Sequence, residues 1–272
     1  MPMRVCRLSP VVVVCLLLLG AGRGTPEAGP ILLAQTPPAA TQTPPAASAD
    51  TIAKGRAIFN DTALSGDGRY SCAKCHPDNG HTDNRTYVGV DVVDNGDPKG
   101  RSTPTLWGVG TRAAFSWAGT APSLQANIRG IIVNRMKGPE PTPEAMAALL
   151  AYVNSLGYPP NPFLNADGAP TDASPAAAKR GYQIFTVKAG CKACHQPPVY
   201  DKKDVEDVES GGKFKVPSLR VVSRTAPYFH DGRFATLEQA VQFMWQYQQK
   251  AGTTEKLTDG DLSDLVEFLK IL

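Results

Sequence analysis

Apolar residues in this chain recur at helical spacing. Between Thr142 and Gly157, Met146, Leu149, Leu150 and Val153 form one stripe, and between Thr258 and Leu272, Leu262, Leu265, Val266 and Leu269 form another. Thr236 opens a third helix that carries Ala240, Val241, Phe243 and Met244. Ser174 is read as the cap of a fourth, with Pro175 at its first position, and Ala53, Ala57 and Ile58 mark a fifth. No run alternates as a strand does, and Gly and Pro are abundant between the helical stretches. The expectation is a mostly α fold of small helices and long connections, with few or no strands.

The N-terminus has a different pattern. Val11–Leu19 is a short apolar run, preceded by Arg4 and Arg7 and followed by Gly20, Ala21 and Gly22. It reads as a secretory signal over residues 1–24, and it is shorter than the roughly 20 residues of a membrane span. The expected location is therefore periplasmic or otherwise exported, with no transmembrane span in the mature chain. Residues 25–48 repeat "QTPPAA" and have no apolar period, which predicts an extended linker.

The rest of the chain reads as an internal duplication. "AKGRAIFND" at Ala53 matches "AKRGYQIFTV" at Ala178, and each leads to C-x-x-C-H, at Cys72 and Cys191. "GRSTPTLWGVGTRAAFSWAGTAPSLQ" from Gly100 matches "FKVPSLRVVSRTAPYFHDGRFATLEQ" from Phe214, and a terminal helix closes each half. Two similar domains, 49–165 and 166–272, are expected.

Charge and cysteine count narrow the chemistry. The formal charge of +3 arises from 28 basic and 25 acidic residues, and Arg4, Arg7 and Arg23 leave with the signal. The mature chain is then near neutral, without the basic patch that a nucleic-acid partner requires. Cys6 and Cys15 leave as well, so the four remaining cysteines all lie in the two C-x-x-C-H units.

Those units suit covalent haem. Two thiols about one helical turn apart can bond the two vinyl groups of one porphyrin, and the following histidine donates a ring nitrogen to the iron. Cys72, Cys75 and His76 would hold one c-type haem, and Cys191, Cys194 and His195 a second. Two disulfides or a closed four-ligand zinc site are the competing readings. An export signal and two equivalent repeats favour two haems.

The stretch "VPSLRVVSRTAPYFHDGRFATLEQAVQFM", Val216 to Met244, resembles the C-terminal haem domain of the bacterial di-haem cytochrome c peroxidase and MauG superfamily, where "P-[ST]-L-R" leads to "PYFHDG" and a "TLEEAV" helix. "LSGDGRYSCAKCHPD" and "STPTLWGVG…FSWAGT" are similar to its N-terminal haem domain. The resemblance covers roughly Ile52 to Leu272. It implies two cytochrome c-type domains, an electron-transfer haem with His and Met ligands, and a reaction haem where peroxide binds. It places the distal methionine of the second haem at Met244, with His230 as the competing ligand. It places Trp117 between the haems, and a calcium ion at the backbone carbonyls of Thr225 and Pro227.

One departure bears on function. Family peroxidases carry an acid/base glutamate just before a methionine, in the stretch that is here "IIVNRMKG", and Arg135 occupies that position. A guanidinium stays protonated and cannot shuttle a proton. Glu140 and Glu144 flank prolines at a helix start and read as surface residues. Met136 is the expected distal ligand of the first haem, with His81 or an open site as alternatives. The leading expectation is an exported di-haem cytochrome that passes single electrons between donor and acceptor proteins, such as a small cytochrome or copper protein. The alternatives are a hydrogen-peroxide-reducing enzyme and a haem-bearing subunit of a larger respiratory complex.

Overall fold

The computed structural model describes residues 47–87, 100–112, 114–252 and 255–272. These belong to one compact unit, Ala46–Leu272. The expected signal and nearly all of the expected linker lie outside the described residues. No described helix is long and apolar enough to cross a membrane.

Among the described residues, eight α-helical segments follow in order: α1 (Ala49–Asn60), the single turns α2 (Cys72–Cys75) and α3 (Pro77–Gly80), α4 (Leu124–Gly130), α5 (Pro143–Ser155), α6 (Ala176–Gln183), α7 (Leu237–Lys250) and α8 (Asp259–Lys270). Among the described residues, strands are confined to two antiparallel pairs. β1 (Thr86–Tyr87) pairs with β2 (Arg101–Ser102), and β3 (Val205–Glu206) with β4 (Phe214–Lys215). The mostly helical reading holds.

Local chemistry sets the helix starts. Thr142 accepts from the Ala145 amide with Pro143 at the first position, as the sequence predicts. Thr236 and Gln239 cap α7 reciprocally, and Thr258 and Asp261 do the same for α8. The start of α6 differs from expectation. The helix begins at Ala176 with Pro175 at its cap, and the Ser174 hydroxyl donates to the Phe163 carbonyl at 2.7 Å. That hydroxyl ties down the preceding loop, so it is not available to the helix.

The predicted stripes become two cores. In the first half, α1 packs on α5, burying Phe59 against Leu149, Tyr152 and Val153. In the second, α6 packs on α8, burying Phe185 (in the wide turn that continues α6) against Leu265, Phe268 and Leu269. Glycines at matching positions let each helix pair approach closely. A Cβ at Gly55 would strike the Ala148 carbonyl oxygen, and one at Gly181 the Asp264 carbonyl oxygen. The duplication read from the sequence is therefore a duplication of backbone contacts. Two similar halves result within the one unit, each with its own packed helix pair.

Because those contacts leave no room for a methyl group, Gly181→Ala should part α6 from α8. The expected loss is about 1–3 kcal/mol, read as a lower midpoint in denaturant unfolding of the purified protein.

Candidate functional site

Each half of the described fold holds a cavity. The N-terminal cavity is lined by Cys72, Cys75, His76 and Met136, the C-terminal one by Cys191, Cys194, His195 and Met244. Each pair of thiols sits on a short helical turn whose hydrogen bond, from the histidine amide to the first cysteine carbonyl (2.9 Å in both), places the histidine beside the thiols. The four cysteines are free thiols, so the disulfide reading does not describe this structure. Burial pushes the Cys72 and Cys191 thiols up to about 12, so they stay protonated. Among the described residues no three His, Cys, Asp or Glu side chains converge on a metal site.

The two histidines are oriented alike. His76 Nδ1 donates to the His81 carbonyl at 3.2 Å. His195 Nδ1 donates to the Tyr200 and Pro217 carbonyls at 3.1 and 3.2 Å. A carbonyl can only accept, so each Nδ1 carries the proton and each Nε2 keeps its lone pair. Desolvation lowers both rings' proton affinity, that of His76 to about 4. Both are neutral at physiological pH, the form that binds a metal.

His81 is committed elsewhere. Its ring stacks on Trp107, centroids 4.1 Å apart, and its two nitrogens face Thr105 Oγ1 at 3.0 Å and the Arg224 carbonyl at 3.2 Å. It is not in the wall of either cavity. It ties the two halves together, while Met136 reaches the N-terminal cavity from the end of the wide turn that follows α4. His230 does line the C-terminal cavity beside Met244, with its ring stacked on Phe214 at 3.5 Å.

Trp117 lines both cavities. Its indole nitrogen donates to the Ser102 carbonyl at 2.8 Å, and its ring meets His230 edge to face at 6.4 Å. Trp117 and His230 hold equivalent places in the two repeats. Each follows a residue of positive φ, Ser116 or Phe229, in a loop closed by Phe115–Ala121 or Tyr228–Phe234 bridging. The loops are exchanged between the halves. The Ser102 amide donates to the His230 carbonyl at 2.8 Å, and the Lys215 amide to the Trp117 carbonyl at 2.9 Å.

The N-terminal cavity is cationic. Arg101, Arg112, Arg135 and Lys215 line it, and no described Asp or Glu does. Arg135 therefore reaches the cavity from the position where the sequence comparison asks for a carboxylate. Glu140 instead pairs with Arg129 at 2.5 Å on the surface, and Glu144 is exposed. Burial, then Arg112, drives the Lys215 ammonium down to about 7, with Asp201 opposing. Arg112 Nε and Ser116 Oγ are buried in this wall without a hydrogen-bond partner. Such orphaned donors call for an acceptor in the cavity, and the propionates of a haem would meet that need. The C-terminal cavity, walled by Phe185, Leu219, Val222, Tyr228 and Leu265, suits a porphyrin face. The residues present fit a haem in each cavity.

At the expected calcium position, the Pro227 carbonyl accepts from the Ser102 hydroxyl at 3.1 Å. The neighbouring carbonyls of Ala226 and Arg224 face the Asn84 side-chain amide at 2.9 and 3.2 Å. The sequence reading missed Lys215, Arg112 and Asn84.

Comparison with known proteins follows the same division. Residues 49–160 match the family described as di-haem cytochrome c peroxidase, and residues 178–272 match cytochrome c. The methylamine utilization protein MauG of Methylorubrum extorquens is 29% identical, over 82% of this chain and 78% of its own. The cytochrome c551 peroxidase of Nitrosomonas europaea is 28% identical, over 95% and 90%. A solved structure of Kuenenia stuttgartiensis hydrazine synthase superposes with a TM-score of 0.66 at 25% identity, covering 83% of this chain and 88% of that one.

The indole bond to Ser102 gives a direct test of the junction between the halves. Trp117→Phe keeps the ring and removes the donor, and should lower stability by about 1 kcal/mol in denaturant unfolding.

Proposed function

This chain belongs to the di-haem cytochrome c peroxidase and MauG family, and on that premise we propose that it carries single electrons between partner proteins outside the cytoplasm. The observation that carries this reading is that each cavity wall holds the histidine of a C-x-x-C-H unit and a methionine, His76 with Met136 and His195 with Met244, in an N-terminal cavity without a described carboxylate. A c-type haem in each cavity supplies an iron that takes up and gives back one electron.

The chain's own residues do the rest. Cys72 and Cys75 fix one haem by thioether bonds, and Cys191 and Cys194 the other. His76 and His195 present Nε2 to the irons, held by carbonyls at Nδ1. Met136 and Met244 would offer thioether sulfurs to the irons from each cavity wall. A histidine and a methionine held in place for each iron would suit one-electron transfer. Arg112 Nε and Ser116 Oγ, buried donors that lack a partner, would meet the propionates. The halves 49–165 and 166–272 each act as one haem domain, and residues 1–24 direct export. Calcium belongs to the same reading: the carbonyls of Thr225 and Pro227 flank that of Ala226, next to the Asn84 amide, and hard cations favour such oxygens.

Reduction of hydrogen peroxide is the second reading. It is favoured by relatives named cytochrome c peroxidase, and Arg135 in the cavity wall is the residue that argues against it. Assembly into a larger complex is a third, favoured by likeness to the gamma subunit of hydrazine synthase.

Attachment is tested by mass. The denatured holoprotein should carry two haems, and Cys72→Ala with Cys75→Ala should carry one; a wild type with fewer than two ends the account. The ferric spectrum tests the choice between carrier and enzyme. Wild type should be low-spin at both irons and slow with peroxide, whereas Met136→Ala should turn one iron high-spin and raise peroxide turnover. A wild type already half high-spin and turning over peroxide briskly would favour the enzyme.

A further inference from the structure

Lys215 is the one cation among the described residues that lines both cavities. It is 8% exposed, and its ammonium lies 5.9 Å from the centre of the Trp117 ring. Its backbone amide is bonded to the Trp117 carbonyl, so the side chain leaves the chain at the indole. The equivalent place in the first repeat holds Ser102, which faces His230 and not a second indole. The cation therefore occurs in one of two matching positions, the one that adjoins the tryptophan.

Removing one electron from an indole spreads positive charge over the ring. A fixed cation over its face, attractive to the neutral ring, raises the free energy of the oxidised one. An indole radical cation ordinarily gains relief by giving up its Nε1 proton. Here that proton is bonded to the Ser102 backbone carbonyl, a group that accepts a hydrogen bond but is no base near neutral pH. The cation thus opposes charge on the ring, and the carbonyl offers no base to which the proton could be lost.

We propose that Lys215 holds Trp117 against one-electron oxidation, so that the indole passes charge between the two cavities as a closed-shell bridge and is not itself a radical site. The proposal rests on the reading of a haem in each cavity. Lys215 tunes the tryptophan, and neither residue binds a substrate.

The test uses ferric holoprotein whose content of two haems has first been measured, on the acidic side of the Lys215 pKa of about 7. Photogenerated tris(bipyridyl)ruthenium(III) takes one electron from the protein and returns to ruthenium(II). Freeze-quench electron paramagnetic resonance with ring-deuterated tryptophan identifies an indole radical, and peptide mass locates the oxidised residue. Wild type and Lys215→Arg should give little radical at Trp117. Lys215→Met should raise the yield on the order of tenfold, the factor matching a desolvated cation–π contact. Adding Trp117→Phe should abolish the gain. Lys215→Gln serves, by the same criteria, where Lys215→Met loads poorly. An abundant Trp117 radical in wild type overturns the proposal without any variant. So does equal yield in Lys215→Met and wild type. Failure of the haem reading shows separately, as a haem content below two.

Discussion

Two backbone hydrogen bonds join the halves of this protein, and the arrangement of its cavities depends on them. The Ser102 amide bonds to the His230 carbonyl and the Lys215 amide to the Trp117 carbonyl. Both donors lie on the second strand of a short pair, and both acceptors on the matching tight loop of the opposite repeat. The exchange brings Trp117 and His230 edge to face and sets Trp117 into the walls of both cavities. The two halves share a wall built of an indole, an imidazole and a lysine.

The duplication holds for the backbone and breaks at the side chains that face this wall. Gly55 and Gly181 admit the same close helix approach in the two halves. The carbonyl five residues after the histidine of each C-x-x-C-H unit, His81 or Tyr200, accepts from its Nδ1. Yet the first of those residues uses its ring to reach the other half, while the second buries its ring in its own core. Trp117 faces His230, and Ser102 stands where the other repeat has Lys215. One fold thus yields two unlike sites, one cationic and the other more apolar, without any change in the scaffold that presents the ligands.

Much of this was legible in the sequence because it depends on local spacing. The stripes through Leu149, Val153, Leu265 and Leu269 gave the helix cores, Thr142 and Thr236 gave their starts, and the two C-x-x-C-H units gave the thiol and histidine positions. Met136 and Met244 could be placed by counting because each lies on or just beyond a predictable helix. Ser174 was misread because its hydroxyl bonds a loop carbonyl, a choice that no helix pattern encodes. Lys215, Arg112 and the reciprocal junction were invisible for the same reason. They depend on contacts between residues about a hundred positions apart, and a lysine in a loop-rich stretch reads as solvated until the fold buries it.

The central claim is that the two cavities form one electron-transfer unit joined through the shared wall. Pulse radiolysis of the holoprotein, delivering less than one electron per molecule, measures this most directly. The account predicts that the electron then redistributes between the two haems in a first-order phase whose rate is independent of protein concentration. A redistribution that occurs only in proportion to protein concentration would mean that electrons pass between molecules and not through the Trp117 junction, and would contradict it.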